Sequence, residues 1–83
     1  MNVGIVDSAQ IAEEMARSIW ENYYTDYEYN KDYSVRIFYD EREGCWYLYS
    51  ELPPDTLGSA PHIIFRSNGD ILAVWHDGVV LAR

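Results

Sequence analysis

The stretch HIIFRSNGDILAVWH, residues 62–76, decides the fold. Two runs of β-branched and aromatic residues flank Ser67-Asn68-Gly69-Asp70. A central Asn-Gly is a strong hairpin signal, because both residues tolerate the positive φ that a tight two-residue turn demands. Side chains alternate across a strand and directly opposed residues share a face. The turn therefore predicts Phe65 opposite Leu72 and Ile63 opposite Val74 on one face, and Arg66 with Ile71, Ile64 with Ala73 and His62 with Trp75 on the other.

Upstream, residues 52–61 hold three prolines and a glycine and predict a loop, since proline cannot donate to a ladder. Before it, Tyr33 to Tyr39 and Cys45 to Ser50 have strand composition, separated by a charged stretch that ends in Gly44. A four-residue turn over Glu41 to Gly44 would gather Val35, Ile37, Tyr39, Trp46 and Leu48 on one face. Phe38, Tyr47 and Tyr49 then point the other way, beside Arg36 and Cys45. Downstream, Asp77-Gly78 offers another turn, after which Val79 to Leu81 form a short last strand or lie against the sheet.

The N-terminal third reads as a helix. Asp7 and Gln10 have capping-box spacing, Val6 and Ile11 sit where a hydrophobic staple would close, and the start falls near Ser8. Ile11, Met15 and Ile19, backed by Ala12, Ala16 and Tyr23, recur at steps of three and four, while Glu13, Glu14, Arg17 and Glu21 take the other side. The helix should end near Trp20 to Tyr24. The expected fold class is α+β: one amphipathic helix on a curved antiparallel sheet of about four strands, built from two hairpins in a single domain over residues 1–83.

With 83 residues the chain buries roughly 60–65% of the surface it exposes when unfolded, enough for one modest core. No apolar run approaches the roughly 20 residues a membrane span needs, and no export signal is evident. Cys45 is the only cysteine, so no intrachain disulfide or cysteine-based zinc site can form, and a reducing cytoplasmic setting is expected. Fourteen acidic residues against six basic ones give a formal charge of -8. A polyanion gains nothing from counterion release, so nucleic acid and anionic membranes are disfavoured as partners. Either the acidity serves solubility alone or the partner is a basic protein.

Reactive groups are few. His62 and His76 fall on opposite faces of the second hairpin, and no His-x-x-x-His or Cys/His cluster exists. Asp40, Glu41 and Glu43 lack the alternating ligand order of a calcium loop and read as a solvated turn. Cys45 reads as a small strand residue. No catalytic residue, cofactor or metal is expected, and the chain is read as a binding protein rather than an enzyme.

Two regions suit a protein interface. If the helix covers the more apolar face (Val35, Ile37, Trp46, Leu48, Ile63, Phe65, Leu72, Val74), the second still carries Phe38, Tyr47, Tyr49, Ile64, Ile71 and Trp75. That is more ring surface than a monomer usually leaves in water. Either the C-terminal residues and the proline-rich loop fold over it or a partner covers it. The connection between helix and first strand interleaves tyrosines with acids, as in Asp26, Tyr27, Glu28, Tyr29 and Asp32. Rings there supply contact area and carboxylates supply attraction to a cationic partner, unless Tyr23 and Tyr33 simply pack on the core. The candidate partner-binding set is therefore Asp26, Tyr27, Glu28, Tyr29, Asp32, Phe38, Asp40, Glu41, Glu43, Tyr47, Tyr49 and Trp75.

The order of motifs adds a resemblance. Ile11-Ala12-Glu13 and Ile19-Trp20 on the helix are followed by a strand entering Trp46, by Glu51-Leu52-Pro53, and by Gly58-Ser59-Ala60-Pro61 leading into Ile63-Ile64-Phe65. Asn68-Gly69-Asp70-Ile71 and Trp75-His76 close the series. Taken together this resembles the NTF2-fold immunity proteins of bacterial polymorphic toxin systems, across nearly the whole chain. The resemblance implies a trimmed NTF2/cystatin-like domain that neutralises a basic toxin by binding it. Such proteins look to have Gly-Gly before the proline where this chain has Gly58-Ser59-Ala60, and no catalytic residue transfers. A different reading is a scaffold module that homodimerises through its aromatic sheet face.

Overall fold

In the computed structural model, residues 6–24, 32–52 and 60–76 are described. One helix, α1 (Ala9–Tyr23), packs on an antiparallel sheet of β1 (Val35–Asp40), β2 (Cys45–Ser50), β3 (Pro61–Arg66) and β4 (Ile71–His76), ordered β1-β2-β3-β4. Each strand pairs with its neighbour in sequence, so the sheet is a meander without a crossover. The proposed last strand at Val79 to Leu81 and most of the proline-rich loop lie outside the described residues.

Helix α1 starts one residue later than the Asp7–Gln10 spacing implies. Ser8 is the N-cap, in extended conformation, and its Oγ accepts from the Ile11 N–H at 3.2 Å. Ile11 is 41% exposed, whereas Val6, its expected staple partner, is buried in the core. The buried stripe is Ala12, Ala16 and Trp20, with Met15 and Ile19 half-buried beside it. The two alanines let the helix approach the sheet closely, and Trp20 fills the space beyond them. Its Nε1 donates to the His62 carbonyl at 3.3 Å, so the largest core side chain also satisfies its one polar atom.

Core packing joins this stripe to Trp46, Leu48, Ile63 and Phe65 on the covered face of the sheet. Val6 enters the same core ahead of the helix. Its N–H donates to the Ser67 carbonyl at 2.7 Å, and its own carbonyl accepts from Trp46 Nε1 at 3.0 Å. Elsewhere, Tyr24 packs against His76 with ring centroids 4.2 Å apart and the ring planes tilted at 55°.

The first hairpin follows the four-residue turn, pairing Asp40 with Cys45, Tyr39 with Trp46 and Ile37 with Leu48. Gly44 closes it at φ 66, a left-handed conformation that any other L-residue enters only at a cost. The second hairpin departs from expectation at its turn. Arg66 N–H donates to the Asp70 carbonyl and Gly69 N–H, at φ 97, to the Arg66 carbonyl, so the loop holds three residues rather than two. Ser67 is held by Gly44, donating to its carbonyl from both N–H and Oγ, and is therefore not available to pair with Asp70.

That one-residue shift places Ile71, not Leu72, opposite Phe65, and a bulge between Ile64 and Phe65 cancels it. Leu72 becomes the extra residue of the bulge and is 47% exposed rather than part of the floor, while Ile71 leaves the second face. Beyond the bulge, Ile64 pairs with Ala73, Ile63 with Val74 and His62 with Trp75, as the alternation requires.

Candidate interaction face

The register across all four strands builds the second face row by row. Asp40, Cys45 and Arg66 stand in one row; Phe38, Tyr47, Ile64 and Ala73 in the next; Arg36, Tyr49, His62 and Trp75 in the third. The helix lies on the other side, packed against the core face. Among the described residues, the middle of this face is aromatic and its charges stand at the margins.

A continuous ring layer runs across the strands. Phe38 on β1 lies near-parallel to Tyr47 and Tyr49 on β2, with centroids at 5.8 and 6.2 Å. Tyr47 reaches His62 on β3: the rings are within 15° of parallel and the hydroxyl stands 2.7 Å from Nδ1. This hydrogen bond ties the two rings together across the β2–β3 pair. Trp75 on β4 then lies parallel to both, 4.9 Å from His62 at 11° and 6.1 Å from Tyr47 at 4°. Offset parallel pairs of this kind each add about 0.5–1.5 kcal/mol beyond their burial, so the layer is held in place before anything touches it. His62 is buried at its centre, whereas Phe38 and Trp75 at its two ends remain 46% and 37% exposed.

The charges are arranged around this layer. Arg36 pairs with Glu51 at 3.4 Å, an exposed contact that adds little stability. Asp40 Oδ1 accepts from the Arg42 and Glu43 N–H groups at 2.9 and 3.3 Å, organising a turn on which Glu41 and Glu43 are exposed. Among the described residues, Asp7, Glu14, Glu21, Asp32, Asp40, Glu41, Glu43 and Asp70 stand outside both ion pairs, which join Arg17 to Glu13 and Arg36 to Glu51. Of these, Asp40, Glu41 and Glu43 stand at the β1–β2 end of the ring layer, while Glu14 and Glu21 lie on the helix across the sheet.

Of the residues singled out from sequence, Phe38, Tyr47, Tyr49 and Trp75 meet in one layer, with Asp40, Glu41 and Glu43 at its β1–β2 end. Asp32 is exposed just ahead of β1. Asp26, Tyr27, Glu28 and Tyr29 lie outside the described residues. Tyr23 is 61% exposed and Tyr33 half-buried, so of that pair only Tyr33 is partly withdrawn from solvent. His62 was legible as a neighbour of Trp75 but not as the centre of the layer. Its contact with Tyr47 depends on the β2–β3 register, which a ten-residue loop leaves uncoded.

Cys45 is half-buried and its Sγ approaches the Glu43 carbonyl at 3.5 Å. No group of three or more His, Cys, Asp or Glu among the described residues is placed to hold a metal ion, and no described helix is long and apolar enough to cross a membrane. Comparison with family models, curated proteins and solved structures finds no match to the chain.

Proposed function

We propose that this chain is a cytoplasmic immunity protein that binds and neutralises a basic bacterial toxin domain without chemistry of its own. The observation that supports it is the preorganised ring layer, exposed at Phe38 and Trp75 and edged by carboxylates that form no ion pair among the described residues. Fully burying one such ring contributes roughly 1.5–3 kcal/mol, more than an exposed ion pair, so the rings hold the partner and the acids draw it in. The motif order that resembles the NTF2-fold immunity proteins supplies the class of partner.

The test is co-expression with a basic toxin domain, sought first in the gene beside the one for this chain. The expected result is rescue of growth and a stable one-to-one complex, with rescue weakened by Phe38→Ala plus Trp75→Ala in a chain that remains folded. A toxin that kills equally well with and without the chain would overturn the reading.

A further inference from the structure

Strand β1 forms one edge of the sheet, and among the described residues its ladder partner is β2 alone. Its backbone parity is fixed at both ends. The Ser34 carbonyl accepts from the Glu51 N–H, and the Asp40 carbonyl from the Gly44 N–H, each at 2.8 Å. Even-numbered residues of β1 therefore bond inward, and Val35, Ile37 and Tyr39 turn their N–H and C=O groups toward the outer edge.

Along that edge, Arg36 and Asp40 stand two residues either side of Phe38, on the same face and with opposite charge. We propose that β1 pairs antiparallel with β1 of a second copy about a two-fold axis at Phe38. Ile37 of each copy then exchanges both backbone hydrogen bonds with Tyr39 of the other, which is the pairing the outward parity permits. Phe38 faces Phe38, and Arg36 faces Asp40 twice. Both are non-hydrogen-bonded pairs, where the Cα atoms approach to about 4.5 Å and side chains meet most closely.

Parity allows neighbouring registers, but their charges do not fit. An axis at Ile37 sets Arg36 against Phe38, and one at Tyr39 sets Arg36 against Arg42. Only the Phe38 axis is self-complementary, as an isologous contact must be. The charge of -8 on each copy opposes association in general. Arg36 offsets this locally, since its exposed contact with Glu51 leaves guanidinium donors for a second carboxylate. The product is one eight-stranded sheet that joins the two ring layers end to end.

Sedimentation of the intact chain from micromolar to millimolar concentration tests this without any toxin, so its outcome is separate from that of the proposed function. The expected result is a concentration-dependent dimer. Arg36→Glu or Asp40→Lys alone should raise its dissociation constant by about tenfold or more, because like charges then face each other at two symmetric places. The combined variant restores opposite charges and should return to within about threefold of the parent. Asp40 also organises the turn, and since the double variant keeps that loss, its recovery isolates the cross-strand pair.

A second arm uses Phe38→Cys with Cys45→Ala, which leaves one thiol at the two-fold axis. Mild oxidation should link two copies faster there than through Asp70→Cys in the same background. A chain that stays monomeric throughout, a double variant as weak as the single ones, or equal linking rates at the two positions would each overturn the proposal.

Discussion

Trp20 is the perturbation whose cost the structure specifies best. It is fully buried, it closes the far end of the Ala12–Ala16 stripe, and its Nε1 hydrogen bond reaches the backbone of β3 on the sheet. Trp20→Ala removes a ring whose truncation in a core typically costs about 3–5 kcal/mol, and it deletes a buried hydrogen bond contributing roughly 1 kcal/mol more. At about 0.05–0.15 kcal/mol per residue, a chain of 83 residues has roughly 4–12 kcal/mol in all, so the variant sits at the edge of unfolding. Trp20→Phe keeps most of the packing but loses the donor, and should cost about 1–3 kcal/mol. Urea unfolding followed by far-ultraviolet circular dichroism reads both without relying on the removed fluorophore. Trp75→Ala, on the opposite and partly exposed face, is the control and should cost less than Trp20→Ala. Equal losses for Trp20→Ala and Trp75→Ala would refute the assignment of the core to the helix side.

Three further outcomes rest on single observations. Ser50 is 1% exposed and its Oγ has no hydrogen-bond partner among the described residues, so Ser50→Ala should raise the urea midpoint, by roughly 1 kcal/mol in stability; a loss of that size would mean the hydroxyl is satisfied. Burial, and secondarily the neighbouring Tyr23 phenolate, push the Tyr24 hydroxyl above its ordinary 10.0. The folded chain then holds the proton longer than the unfolded one, so this contribution is intact below about pH 10 and is lost as pH rises from there through the folded value. Tyr24→Phe should flatten that part of an alkaline stability profile, and identical slopes would contradict it. Leu72, displaced outward by the bulge, should accept threonine within about 0.5 kcal/mol, whereas a core residue there would cost about 2 kcal/mol or more.

The architecture was legible wherever local chemistry determines geometry. Gly44 after a charged stretch coded the first turn and therefore every pair along β1 and β2. The second hairpin was legible from Ile64 down to His62, but not at its tip, because the turn is settled by Ser67 bonding across to Gly44 and Val6, contacts distant in sequence. The same holds for the helix. Its apolar stripe was evident, yet both Ile11-Met15-Ile19 and Ala12-Ala16-Trp20 recur at helical spacing, and only close approach to the sheet favours the stripe with small residues. Of the candidate face, the aromatic alternation along each strand was visible in the sequence. The joining of the two hairpins into one layer was not, because no turn codes the register between Tyr47 and His62.

Binding kinetics with the basic toxin domain that the proposed function calls for, measured across a salt series, test the central claim most directly. Attraction by peripheral carboxylates and retention by rings should separate cleanly: rising salt lowers the association rate by up to 10–10³-fold while hardly changing dissociation. Phe38→Ala with Trp75→Ala should do the reverse, speeding dissociation and sparing association. An association rate indifferent to salt, together with a complex whose lifetime ignores the loss of both rings, would contradict the account.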